Sequence, residues 1–238
     1  MKPVYVIASN LLGQRTRMDM IADNIANVNT SGYKHQKMDF QEIVSRKQAT
    51  DVASFTHHSG TTTNFANGSL TKTNNQLDMA IQGEGFFAVN VGGNVRYTKN
   101  GAFTQDIEGN LVTTNGDLVL DVNNAPINIP PGSTEVIVTE NGTISDQNGI
   151  ITTLGLFRFN NPQSLTRAGN NAWIATEEPQ LALDVKVSQG FVEGSNVNAI
   201  EETVNMTEVL RQYQGAMNLV QKIEELEQRA IRDLSRLP

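Results

Sequence analysis

Apolar residues in this chain follow two different periods, and the change of period divides it. From about Asn198 to Leu237 they recur at Val209, Tyr213, Ala216, Leu219, Ile223, Leu226, Ala230, Leu234 and Leu237. Steps of three and four keep side chains on one face of a 3.6-residue turn. Met217 and Val220 widen the stripe. Asn198, with Glu201 three positions on, has the form of a capping pair. Glu201 and Glu202 stand where the helix dipole favours negative charge, and Arg229, Arg232 and Arg236 where it favours positive charge. The pattern predicts one helix of roughly 55–60 Å.

A second helical stripe opens the chain. Val4, Ile7, Leu11, Met18, Ile21, Ile25 and Val28 keep heptad-like spacing, with Gln14 interrupting the seam. Pro3 suits a first turn, and Gly13 weakens the middle by about 1 kcal/mol relative to Ala. The turn formers Asn29-Thr30-Ser31-Gly32 end it. No comparable stripe follows until the C-terminal one, so the two termini are expected to pack together. A pair of helices buries one seam only. Flank residues such as Val204, Met206 and Leu210 are then left over, and such leftovers favour assembly with other subunits.

Between the helices the period falls to two. Residues 31–70 read as an extended connector with one short strand, because Ile43 and Val44 stand in a polar setting and Thr56–Ser69 is rich in Thr, Asn, Gly and His. Residues 71–197 read as an all-β body. Phe87, Val89 and Val91 alternate with Ala88, Asn90 and Gly92. Further short runs occur at 95–98, 118–120, 136–138 and 154–159. Asn100-Gly101, Asn115-Gly116, Asn141-Gly142 and Asn148-Gly149 separate them, and Asn-Gly suits the positive φ angles of a type I′ hairpin. The expected class is α+β. Long N- and C-terminal helices (1–30 and 198–238) pair in a coiled-coil-like layer, and an antiparallel sandwich or partly closed barrel is inserted between them.

Composition narrows the function. Charged residues make up 18% of the chain, net charge is −7, and no Lys/Arg cluster stands out, so nucleic-acid binding has little electrostatic support. The absence of cysteine removes disulfides, thiolate catalysis and Cys-ligated zinc, and suits a chain that must travel unfolded. No run of about 18 apolar residues is present, so no helical membrane span is expected. The apolar start, Pro3 to Ala8, soon breaks into Asn10, Gln14, Arg15 and Arg17, which is not a Sec signal pattern.

Candidate chemistry is thin. Gly83-Glu84-Gly85-Phe86-Phe87-Ala88 matches the dinucleotide pattern by letter, but a β-like run follows it where a helix N-terminus is required. His35, His57 and His58 lack a spaced carboxylate partner, and adjacent histidines face opposite sides of a strand. Asp146-Gln147-Asn148-Gly149 echoes part of a calcium loop, yet Ile144 holds the first ligand position and no Glu closes it. No G-x-S-x-G elbow occurs. No catalytic, metal or cofactor residue is assigned, and the chain is not expected to be an enzyme. A secreted carbohydrate-binding β module would need an aromatic platform, but Trp173 stands alone and the tyrosines are scattered.

Three motifs, in order, carry a resemblance. The stretch Ala22-Asp23-Asn24-Ile25-Ala26-Asn27-Val28-Asn29-Thr30-Ser31-Gly32-Tyr33-Lys34 resembles the N-terminal signature of bacterial flagellar rod and hook proteins, commonly A-N-N-I-A-N-x-N-T-x-G-[FY]-K. Residues 77–89 (LDMAIQGEGFFAV) and 96–103 (RYTKNGAF) are similar to the central motif, and 189–198 (QGFVEGSNVN) to the C-terminal one. Asp23 departs from the common Asn.

Within this flagellar basal-body rod family, the length and the tail Gln221–Ala230 resemble the proximal rod subtype. The distal rod protein of the same family is the alternative. The resemblance implies a structural rod subunit that polymerises axially and passes motor torque on. Its implied partners are copies of itself, other proximal and distal rod subunits, and in transit the flagellar type III export apparatus. Its implied place is the basal-body rod within the periplasm. Implied subunit contacts fall at Leu11, Met18, Ile21, Asn24, Ile25, Asn27 and Asn29, and at Val204, Leu210, Tyr213, Leu219, Ile223 and Leu226.

Overall fold

A computed structural model describes residues 3–48, 51–133 and 135–234, with side chains for all of these except 3–6, 40–59 and 234. Arg236 and Leu237 of the expected C-terminal stripe lie outside the described residues. The chain divides into two compact units. The first comprises 1–26, 36–63 and 198–238, the second 27–35 and 64–197.

In the first unit, helix α1 (Pro3–Ala26) packs against helix α2 (Ala199–Leu234). At 1.5 Å per residue they are about 36 Å and about 54 Å long. The side chain of Asn198 accepts from the backbone N–H groups of Ile200 (3.1 Å) and Glu201 (3.4 Å), the cap expected from the sequence. The buried and half-buried positions of α2 run through Glu202, Asn205, Met206, Val209, Tyr213, Ala216, Val220 and Ile223. The packed seam therefore passes through Val220, and Leu219 and Leu226 lie off it. One helical position is a rotation of about 100°, enough to carry a side chain from seam to solvent. Met206, expected on the outer flank, is half-buried.

The stretch expected as a connector contains a long hairpin, β1 (Gln36–Gln48) with β2 (Asp51–Thr63). Its sequence is polar and Thr-rich and shows no sustained alternation, the signal by which a strand is read. β-branched residues nevertheless favour extended backbone.

The second unit is antiparallel β throughout its described pairings. A nine-stranded sheet has the path 166–167, 172–174, 94–98, 86–91, 118–119, 111–113, 103–105, with 156–158 and 180–181 attached off it. Three strands at 137–138, 143–146 and 149–153 form a second sheet, and the pairs 79–82 with 186–189 and 70–72 with 191–193 complete the unit. Strand Phe86–Val91 is buried on both faces. Phe87 and Val89 enter a core with Met79, Ile81, Phe103, Leu111 and Ile144. Phe86 and Ala88 enter another with Tyr97, Leu120, Phe157, Phe159 and Trp173. The apparent alternation at 86–91 thus marked a strand covered on both sides.

The Asn-Gly turns differ from expectation. Asn115 keeps a negative φ while Gly116 takes +86°, so both central angles of a type I′ turn are not met. Gly116 N donates to Thr113 O (2.9 Å) and Thr113 N to Asp117 O (2.8 Å), a type I turn closed by a left-handed glycine. Thr139–Thr143 repeats it. Asn100-Gly101 makes no hairpin; Met79 N donates to Gly101 O at 2.9 Å, tying two segments together.

Candidate assembly interface

In the first unit, the end of α1 and the start of α2 meet at a buried polar clamp. Asn24 is 1% exposed and Glu202 4%. Asn24 Nδ2 donates to Gln36 O (2.9 Å) and to Glu202 Oε2 (3.0 Å), and Gln36 N donates to Asn24 Oδ1 (3.1 Å). Asn205 Nδ2 donates to Glu202 Oε1 (3.1 Å). One asparagine side chain thereby reads the backbone of Gln36 and holds a carboxylate from α2. This geometry makes the helices antiparallel, with the C-terminal end of α2 extending past the N-terminal end of α1. From Glu224 to Asp233 every residue of α2 is exposed.

The solvent-facing side of α2 carries apolar residues among charged ones such as Arg211, Lys222 and Glu225. Ile200 is 79% exposed, Val204 61%, Leu219 54%, Leu226 63% and Ile231 66%. Leu210 and Met217 are exposed as well. A shallow cavity on this face is lined by Ala199, Ile200, Thr203 and Val204.

The expected contact residues thus fall into three groups. Ile21 and Asn24 are buried within their own unit. Leu11, Met18, Ile25, Tyr213 and Ile223 are half-buried in the first unit and Asn27 in the second. Asn29, Val204, Leu210, Leu219 and Leu226 are exposed.

The second unit holds a junction of the three sequence motifs, which sequence reasoning had not resolved into contacts. Gly32 N donates to Glu193 O (2.8 Å), and His35 N donates to Asn196 Oδ1 (2.7 Å). Asn196 Nδ2 donates to Asn64 O and Ala66 O, both at 2.8 Å. Arg167 lies over the ring of Tyr33, 4.9 Å from its centroid.

Beneath this junction lies a charged cluster. Lys34 Nζ sits 2.6 Å from Glu193 Oε1 and also donates to Ala66 O (2.8 Å). Glu193 Oε1 accepts from Gly68 N (2.8 Å) as well. Burial pulls the Lys34 ammonium below the usual lysine range, against the opposing pull of Glu193. Lys99 Nζ donates to Gly83 O (2.9 Å) and lies 5.3 Å from the centroid of the Phe86 ring. Burial brings Lys99 down to about 8, with Glu193 opposing and Lys34 reinforcing the shift.

Gly83-Glu84-Gly85 is followed by strand Phe86–Val91, so its backbone faces a buried lysine, with no helix N-terminus to hold a pyrophosphate. His35 contributes its backbone to the junction, and the side chains of His57 and His58 lie outside those described. Among the described residues, no group of three or more His, Cys, Asp or Glu is placed to hold a metal ion.

The chain matches three family models. Residues 5–34 match the flagella basal body rod protein family, 80–146 the flagellar hook protein FlgE/F/G D1 domain, and 188–233 the flagellar basal body rod FlgEFG protein C-terminal family. It is 31% identical to the flagellar basal-body rod protein FlgF of Mesorhizobium japonicum over 234 residues, covering 97% of each chain. To FlgF of Caulobacter vibrioides it is 32% identical over 240 residues, 98% of each. To the flagellar basal-body rod protein FlgG of Bacillus subtilis it is 28% identical over 259 residues, covering 97% of this chain and 98% of that protein.

Proposed function

This chain belongs to the flagellar basal-body rod protein family, in its FlgF-type branch, and from that premise we propose that it builds the proximal rod by axial polymerisation through α2. It is a structural subunit, as its rod-protein relatives are. Exposed apolar residues of α2, among them Val204, Leu219, Leu226 and Ile231, carry the proposal: they are a liability in an isolated chain and a joint in a polymer. In this reading α1 and α2 form a coiled-coil-like layer, and the β body closes as a sandwich or partly closed barrel. Domain boundaries follow the same logic. The terminal helical assembly domain takes in 1–30 and 198–238, with the hairpin at 36–63 beside it, and the body spans 71–197.

Contacts between copies are head to tail, a heterologous arrangement that propagates and does not close into a dimer. Val204, Leu210, Leu219 and Leu226 supply contacts from α2, with Leu11, Met18, Ile25, Tyr213 and Ile223 of the same unit; Asn27 and Asn29 supply contacts from the second unit. A stiff polymer of this kind transmits torque from motor to distal rod and hook. Lack of cysteine supports passage, unfolded, through the flagellar type III apparatus. Partners are other copies and the adjoining rod subunits.

Electron microscopy of basal bodies from cells lacking this chain tests the proposal. Basal bodies without a rod beyond the motor ring are expected; a complete rod and hook would exclude it.

A further inference from the structure

β1 and β2 form a two-stranded sheet, with no third strand among the described residues. Each strand has 13 residues, so the hairpin runs well beyond a single turn of pairing. At about 3.3 Å per residue it extends roughly 43 Å. The register holds from Gln36 opposite Thr63 to Gln48 opposite Asp51, with irregularities after Asp39 and after Arg46. α1 packs against both strands, and Met38 and Thr63 near the base are buried. A two-stranded hairpin is marginal in water, and a helix, as α1 here, or a third strand stabilises it.

The two outer edges differ in sequence. β1 carries Lys37, Asp39, Glu42, Arg46 and Lys47. Such charges oppose pairing of an edge with its own kind while leaving it open to a strand of complementary charge. β2, after Asp51, contains no Lys, Arg, Asp, Glu or Pro through Thr63. It is rich in residues that favour strands, among them Val52, Phe55, Thr56, Thr61 and Thr62. Its edge is a bare template for another strand.

We propose that the open edge of β2 takes the outer edge of β1 from a second copy of this chain, so that neighbouring hairpins join into one continuous sheet. The proposal rests on the polymerisation reading above and names a contact that the α2 flank does not supply. The two strands match in length, at 13 residues each. Their formal charges are opposite: Lys37, Arg46 and Lys47 against Asp39 and Glu42 give β1 a net +1, and Asp51 gives β2 a net −1. Joining β1 to β1 brings together two strands of net positive charge and, being isologous, also stops at a dimer. Joining β2 to β2 is isologous and stops at a dimer, whereas β2 to β1 leaves a fresh edge at each end. The mode is strand addition, in which main-chain hydrogen bonds supply the affinity.

The chain has no cysteine, so introduced thiols report without background. Bacteria carrying the full-length chain in two differently tagged versions provide the test. One version bears Glu42→Cys. The other bears a cysteine at one β2 position from 52 to 62, tried in turn. Mild oxidation of swimming cells should give a disulfide between the two tags at one or more neighbouring positions. Pairs carrying the same tag should be faint. If Glu42→Cys abolishes swimming, Gln41→Cys replaces it. Swimming cells with no mixed disulfide at any position overturn strand addition and leave the rod reading standing. Predominant links within the β2-cysteine version overturn the head-to-tail form. Normal swimming after deletion of the chain overturns the assembly reading beneath both.

Discussion

Lys34 Nζ lies 2.6 Å from Glu193 Oε1, and the two side chains are 0% and 1% exposed, so residues 159 apart in sequence close one buried ion pair. A buried charge that loses its partner costs about 3–5 kcal/mol. Glu193→Gln should therefore destabilise the second unit by an amount of that order. Trp173, the only tryptophan, is buried in that unit, and its fluorescence follows unfolding there in urea. A cycle with Lys34→Met and the double variant should return a coupling above about 1 kcal/mol. A coupling near zero would mean that the pair is bystander to packing.

Lys99 gives the same unit a pH dependence of definite sign. Its folded value is about 8, below the ordinary 10.5, because burial disfavours the ammonium. The unfolded chain thus binds more protons between those two values, and stability rises with pH across that window. Below about pH 8 the cost of the buried charge is present in full. Lys34 shifts in the same direction. Urea unfolding of the parent chain, set against Lys99→Met, should show the parent gaining roughly 2 kcal/mol between pH 8 and 9.5. Comparison with the variant cancels Tyr97, whose hydroxyl burial pushes up and whose effect has the opposite sign at higher pH. A flat difference would contradict a buried, charged Lys99.

Gly32 is held at φ +68°, and a Cβ there would fall 2.3 Å from Asn100 N. Gly32→Ala combines left-handed strain with a clash against backbone, which cannot swing aside. It should cost more than about 2 kcal/mol. Gly116 has φ +86° with nothing within 4 Å of a Cβ. Gly116→Ala should cost only about 1 kcal/mol. Thermal melts of the two variants give the comparison, and equal losses would refute the close approach of Gly32 to Asn100.

The clamp at Asn24 makes its neighbour a built-in control. Asp23 is exposed, whereas Asn24 is buried with both amide groups engaged. Asn24→Asp removes the donor to Gln36 O and sets a carboxylate against Glu202. Hydrogen exchange of amides 200–206 should accelerate by at least an order of magnitude, the equivalent of more than about 1.4 kcal/mol of lost local stability. Asp23→Asn, a change on an exposed side chain, should accelerate that exchange less than Asn24→Asp does. Equal protection in both variants would show that Asn24 does not hold the start of α2.

Sequence pattern carried some elements and missed others for identifiable reasons. Both helices were legible because Ile21, Val209 and Tyr213 obey a 3.6-residue period. The seam was mistaken by one position, Leu219 for Val220, because a wide apolar stripe does not mark its own centre. The hairpin at 36–63 was read as a connector with one short strand because its sequence is polar and shows no sustained alternation. The Lys34–Glu193 pair was invisible because nothing local announces a partner so distant. Both residues nevertheless lie inside motifs, Lys34 after Gly32 and Glu193 before Gly194, and that shared setting was the available signal. Asn24 was expected to meet another subunit; its hydrogen bonds to Gln36 and Glu202 lie within its own unit.

The exposed flank of α2 is the direct test of assembly. Val204→Asp with Leu219→Asp places charges at two positions that are 61% and 54% exposed and lie off the intramolecular seam. Surface changes of this kind alter folding by about 0.5 kcal/mol or less. The purified variant should keep the parent's helical circular dichroism and its Trp173 unfolding curve. Cells carrying only that variant should not swim, and their basal bodies should lack a rod beyond this subunit. A folded variant that supports swimming at the parent's speed would contradict the assignment of this face as the joint between subunits.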